Sequence, residues 1–187
     1  NMGHTSAMKK YRFQWTYPIV FSPHNPQKLY VTSQYVHVSM DEGQSWKVIS
    51  PDLSRNDPKT TGNTGGPITL DQTGAEIYAT IYSLAESKTE PGLIWTGSDD
   101  GLIHVSKDDG ANWENVSIPT SLLPDFAMIS IIHPSETVKG KVYVTATRYM
   151  SGDRKPYLFK SNDYGKSWTA INNGIPADEY TLSLIHN

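Results

Sequence analysis

Ser39-Met-Asp41-Glu-Gly43-Gln-Ser-Trp46, Ser106-Lys-Asp108-Asp-Gly110-Ala-Asn-Trp113 and Ser161-Asn-Asp163-Tyr-Gly165-Lys-Ser-Trp168 are three copies of one octet, S-x-D-x-G-x-x-W. Their starts lie 67 and 55 residues apart, and recurrence of this kind marks a supersecondary unit copied along the chain. Each copy follows a segment of alternating apolar and polar residues and precedes a short β-prone run, which places it in a hairpin turn. An Asp in such a turn accepts hydrogen bonds from backbone N–H groups the ladder leaves unpaired, and a Gly two residues on supplies a positive φ without steric cost. The Trp re-enters the next strand with a large apolar face. Asp41, Asp108 and Asp163, with Ser39, Ser106, Ser161, Gly43, Gly110, Gly165, Trp46, Trp113 and Trp168, are therefore structural, since a residue copied three times makes a poor unique catalyst.

Working outward from the octets gives three copies of a four-strand unit. Innermost strands are expected at Tyr17 to Ser22, Glu76 to Leu84 and Ala127 to His133, and second strands at Lys28 to Thr32, Leu93 to Gly97 and Lys141 to Thr147. Third strands run into the octets at Val36 to Ser39, Leu102 to Ser106 and Tyr157 to Ser161, and fourth strands leave them from each Trp. Residues 180–187 match an innermost strand, the start of a fourth unit.

The octets resemble the Asp box, or BNR repeat, of sialidases, sortilin-type receptors, some xyloglucan hydrolases and photosystem assembly factors. Further stretches, Phe21-Ser-Pro-His-Asn-Pro, Gly97-Ser-Asp-Asp-Gly101 and Asn173-Gly-Ile-Pro, resemble large bacterial "glycosyl hydrolase, BNR repeat" proteins. The resemblance covers about residues 11 to 187 and implies an all-β fold, a β-propeller of four-stranded antiparallel blades. On this reading residues 1–10 are a vector-derived or disordered tail, and 11–187 a partial propeller. Its blades fall at about 11–50, 76–118 and 127–172, and one further strand follows. Because propellers close rings of about 4 to 8 blades, the expectation is a fragment of a longer chain or two copies paired through open ends.

Composition narrows the function classes. The chain has 187 residues, 37% of them hydrophobic, and a net charge of −3 without charge blocks, so neither nucleic acid nor an anionic membrane is recruited electrostatically. Cysteine is absent, which removes disulfides, thiol nucleophiles and thiolate metal sites. No apolar run reaches the ~20 residues of a membrane helix, and no secretory signal stands at the start; a secreted or periplasmic setting is expected, with the export signal elsewhere. Neither a metal nor a cofactor is expected: the octets lack the further oxygen ligands of a calcium loop, and no phosphate-cradling Gly-rich loop precedes a helix.

The candidate binding residues lie on loops opposite the octets. Residues 50–75 form a long polar link containing Arg55, and Arg148 to Tyr157 form a second loop with Tyr149 and Arg154. Aromatic faces rimmed by guanidinium groups suit a sugar ring or a carboxylated chain. Asp99 and Asp100 are a tempting carboxylate pair, although Ser98-Asp-Asp-Gly101 has the composition of a tight turn; Asp71, Glu76 and Glu86 are weaker candidates. The sialidase triad of arginines is missing, with only Arg12, Arg55, Arg148 and Arg154 present. His37 and His104 share a repeat position that carries Phe159 in the third copy, which points to packing rather than ligation. The expected function is a non-catalytic recognition or scaffold segment binding polysaccharide or a protein partner. The alternative is part of a glycoside hydrolase that needs further blades for its active site.

Overall fold

The computed structural model describes residues 4–65, 68 and 77–181. Twelve strands form three sheets of four: β1 (Ile19–Phe21), β2 (Leu29–Thr32), β3 (Val36–Ser39) and β4 (Lys47–Val48); β5 (Ile81–Glu86), β6 (Ile94–Ser98), β7 (Ile103–Ser106) and β8 (Glu114–Asn115); β9 (Met128–Pro134), β10 (Val142–Arg148), β11 (Asp153–Ser161) and β12 (Thr169–Ala170). Within each sheet, strands adjacent in sequence pair antiparallel. The fold is all-β, and its units are blades of a β-propeller. Among the described residues no helix is long and apolar enough to cross a membrane.

All three octets close the hairpin between third and fourth strands with one hydrogen-bond pattern. In the first, Ser39 Oγ donates to Asp41 Oδ1 at 2.8 Å and accepts from Gly43 N–H at 2.8 Å; Asp41 Oδ1 also accepts from Ser45 N–H at 2.8 Å. Asp108 and Asp163 repeat these contacts with Ser106, Gly110, Asn112 and with Ser161, Gly165, Ser167. The turn takes two successive positive φ values, at Glu42 and Gly43, Asp109 and Gly110, and Tyr164 and Gly165. The residue before the Trp bonds the second Asp oxygen in every copy, through Ser45 Oγ, Asn112 Nδ2 and Ser167 Oγ.

Blades pack face to face. Strand alternation puts Val20, Tyr30 and Val38 in one cross-strand row facing Ile81, Leu84 and Ile94 of the second blade, and Leu53 of the link between them completes the cluster. A second cluster, containing Trp95, Ile103, Val105, Ile129, Val144 and Phe159, fills the space between second and third blades. Gly97 marks the closest approach, because a Cβ there would stand 2.3 Å from Ile129 Cγ2. Each following octet then locks onto the blade before it. Trp113 Nε1 donates to Ile49 O at 2.9 Å, and Trp168 Nε1 to Val116 O at 2.8 Å. The three tryptophans share one octet position, yet Trp168 is 9% exposed, Trp113 half-buried and Trp46 42% exposed. Burial follows whether a preceding blade stands beside the octet.

Four boundaries differ from expectation. Residues 4–10 are not a loose tail: Thr5 and Ser6 are buried in a 3-10 turn at Ser6–Met8, and Ala7 N–H donates to Thr61 O at 3.1 Å. The second innermost strand starts only at Ile81, because Ala79 sits at φ 63, where an extended chain cannot continue. The third strand of the last blade starts at Asp153 rather than Tyr157. Its register slips between the Ala146–Tyr157 and Arg148–Asp153 pairs, and this bulge accommodates Pro156, which has no N–H for the ladder. The predicted start of a fourth blade is not a strand at Tyr180 and Thr181, and 182–187 lie outside the described residues, as do Asp71 and Glu76.

Candidate functional site

Turns of an antiparallel meander alternate between its two ends, so the octets occupy one end and the β2–β3, β6–β7, β10–β11 and blade-to-blade connections the other. That second end holds a cavity of about 810 Å³ lined by the segments entering β1, β5 and β9 and by the exit of β10. Trp15, Tyr78 and Phe126 each precede an innermost strand by a few residues and project around it. Met128, Tyr149 and Met150 extend the apolar wall, and Asp99 and Arg148 supply the charged groups.

Asp99 is held rigidly. Its Oδ1 accepts from Thr80 N–H and its Oδ2 from Thr80 Oγ, both at 2.8 Å, while its own N–H donates to Thr80 O at 3.0 Å. Burial pushes its carboxyl up to about 7; the Thr80 bonds pull the other way, and the Asp100 charge adds to the rise. The same burial, with the Asp99 and Asp100 charges, raises the Tyr78 phenol above its ordinary range. Arg148 Nη1 reaches Asp153 Oδ2 at 3.3 Å, but its buried Nε has no hydrogen-bond partner among the described residues. A buried unpaired donor costs about 1–3 kcal/mol. Tyr149 stacks on Tyr180, ring centroids 6.1 Å apart.

Of the six residues picked from sequence, the structure therefore brings Asp99, Arg148 and Tyr149 together around one cavity. The other three do not line it. Asp100 is fully buried in its turn, accepting from Ser98 Oγ at 2.6 Å and from Arg55 N–H at 2.8 Å. Arg55 fastens the long link to the neighbouring turns: Nε donates to Asp100 O, Nη2 pairs with Asp125 at 2.7 Å, and the guanidinium covers the Phe126 ring. Arg154 is an exposed position on the β11 bulge. Glu86 accepts from Tyr30 Oη at 3.2 Å between blades, which is a packing role. Arg12, dismissed as a substrate clamp, is buried and holds Ala79 O, Asp52 and Ser54. His37 bonds Ser33 Oγ and packs under Tyr11 and Phe13, in keeping with the packing reading. Among the described residues no cluster of His, Asp or Glu could hold a metal ion.

Trp15, Tyr78 and Phe126 were missed by sequence reasoning. Their signal was present: one aromatic two to four residues ahead of each innermost strand. It was obscured because the strand starts were misplaced.

Three stacked antiparallel blades with their loops gathered over one end define a propeller-class protein. Known structures agree on the fold. A GH74 xyloglucanase from Xanthomonas campestris aligns with a TM-score of 0.53 and 19% identity over 86% of this chain and 24% of its own. YCF48 from Cyanidioschyzon merolae aligns with a TM-score of 0.52 and 14% identity over 84% of this chain and 42% of its own. The chain thus spans less than half the length of either. No family model matches the sequence, and no curated protein does.

Proposed function

We propose that the chain is a non-catalytic recognition segment of an Asp-box (BNR) propeller and that its loop-end cavity binds a polysaccharide. The carrying observation is the cavity wall: Trp15, Tyr78, Phe126 and Tyr149 around one guanidinium and one carboxylate. Flat aromatic faces stack on the C–H faces of sugar rings, while the Arg148 and Asp99 side chains at the wall supply polar groups for hydroxyls. Paired-carboxylate hydrolysis needs two acidic groups ~5 to 9.5 Å apart across the cleft. Asp99 is the only acidic side chain lining the cavity among the described residues, since Asp100 turns inward. A polysaccharide ligand goes with a secreted or periplasmic setting.

One feature favours the second reading, a share in a glycoside hydrolase: at the cavity wall burial pushes the Asp99 carboxyl up to about 7, the direction a general acid needs. A glycan array and a panel of chromogenic glycosides separate the two. Binding without turnover, weakened at least tenfold by Trp15→Ala, supports recognition. Turnover abolished by Asp99→Asn supports hydrolysis, and absence of any glycan binding, with capture of a peptide at the same loops, replaces the polysaccharide with a protein partner.

A further inference from the structure

Outside the octet turns, three non-glycine residues adopt a left-handed backbone among the described residues: Asn56, Ala79 and Phe126. Two of them occupy one place in the repeat, two residues ahead of an innermost strand, Ala79 before Ile81 of β5 and Phe126 before Met128 of β9. Both stand at the wall of the loop-end cavity, Phe126 with its own ring and Ala79 through its neighbour Tyr78. A Cβ disfavours this conformation, so it persists only where the surroundings over-determine it.

At Ala79 the surroundings are two buried side chains of opposite type acting on one peptide group. The Ala79 carbonyl accepts from Arg12 Nε at 2.8 Å, and the N–H of the same peptide, that of Thr80, donates to Asp99 Oδ1 at 2.8 Å. Because the C=O and N–H of a planar trans peptide point opposite ways, Arg12 and Asp99 grip it from its two edges. Each jaw is itself anchored. Asp99 Oδ2 accepts from Thr80 Oγ at 2.8 Å; Arg12 donates its backbone N–H to Gln34 Oε1 at 2.7 Å and its Nη2 to Asp52 Oδ2 at 2.7 Å and Ser54 Oγ at 2.9 Å. Arg12 is 4% exposed and is not among the residues lining the cavity, whereas Trp15, three residues further along the chain, is. Arg12 therefore stands at the root of the Trp15 wall and holds the root of the Tyr78 wall. At the second left-handed entry a guanidinium serves again, Arg55 pairing with Asp125 and covering the Phe126 ring.

We propose that Arg12 is a positioning residue of the loop-end cavity: through the Ala79 carbonyl, with Asp99 as the second jaw, it fixes where Tyr78 stands relative to Trp15 and so sets the gap a ligand must fit. This rests on the reading of that cavity as the binding site. Arg12 touches no ligand; its contribution is preorganisation, since a ligand that meets walls already in place pays less ordering entropy on binding. The task suits arginine, whose fork reaches Ala79 O from Nε while Nη2 serves Asp52 and Ser54, as a single ammonium cannot.

Fluorine NMR of protein labelled with 3-fluorotyrosine tests this without a ligand, the Tyr78 resonance being the one missing from Tyr78→Phe. Arg12→Lys keeps a charge beside Asp52 but loses the fork, so the Tyr78 resonance should move from its parental position while urea unfolding stays cooperative. Asp99→Ala should displace it likewise. Asp99→Asn should leave it in place, because the amide still accepts from Thr80 N–H and donates to Thr80 Oγ. For a glycan that an array shows the parent protein to hold, Arg12→Lys should weaken binding about tenfold although Arg12 lies outside the cavity. An unmoved Tyr78 resonance in Arg12→Lys or in Asp99→Ala overturns the proposal, as do equal displacements in Asp99→Asn and Asp99→Ala, or a displaced resonance with undiminished glycan affinity. If Arg12→Lys does not fold, the two Asp99 variants decide alone. A parent protein that binds no glycan overturns the reading of the cavity instead, and the resonance still decides the positioning role.

Discussion

Alanine at the octet glycines separates backbone strain from blade packing, because the three sites share a conformation and differ in surroundings. Gly43, Gly110 and Gly165 have φ of 86°, 88° and 82°, so each Gly→Ala change carries a left-handed penalty of about 1–2 kcal/mol. At Gly43 the added methyl meets nothing closer than the Trp46 ring at 3.4 Å. At Gly165 it falls 2.7 Å from Val116 Cβ and 2.8 Å from Val116 Cγ2, a β-branched side chain with no free rotamer, and 3.3 Å from Trp95. Overpacking of this kind adds about 1–3 kcal/mol. Gly165→Ala should therefore cost about 1–3 kcal/mol more than Gly43→Ala. Gly110→Ala should fall between them, since the flexible Ile49 Cδ1 can yield although Ile49 O, at 3.0 Å, cannot. Urea unfolding, followed by fluorescence, reads the difference as a shift in midpoint at constant slope. Equal losses at Gly43 and Gly165 would refute the view that the octet seats each blade on the one before.

Trp168→Phe leaves Val116 O without the indole donor and should destabilise by about 1–3 kcal/mol, whereas Trp46→Phe should change urea stability by less than about 0.5 kcal/mol. Asp99 keeps its proton in the folded state up to about 7 and loses it at 3.8 when unfolded, so its contribution is fully present below 3.8 and falls away as pH rises to 7. Asp99→Asn, compared with the parent by thermal melts between pH 4 and 7, should remove that decline. Asp163 has the opposite sign: hydrogen bonds from Ser167 and Ser161 hold it down at about 2, so its contribution is lost only as pH falls through that value, and Asp163→Asn should leave the pH 4 to 7 profile unchanged. Arg148→Ala should weaken any glycan bound in the cavity by about tenfold, measured by titration calorimetry.

The octets alone determined the all-β blade architecture, and they could do so because a Ser–Asp–Gly turn is a local device: its donors and acceptors all lie within seven residues of sequence. The positions of second and third strands followed from alternation on either side, and Asp99, Arg148 and Tyr149 were legible as loop chemistry at the end away from the octets. What needed three dimensions was everything set by a neighbouring blade. Trp46, Trp113 and Trp168 occupy the same octet position, yet only the tertiary arrangement decides which indole finds a carbonyl. Asp100 and Arg55 have the chemistry of a site, but contacts across 45 residues fold them into a brace, while Trp15, Tyr78 and Phe126 converge from segments about 50 to 60 residues apart. Local hydrogen bonding writes the repeat into the chain, whereas burial and convergence depend on how the repeats stack.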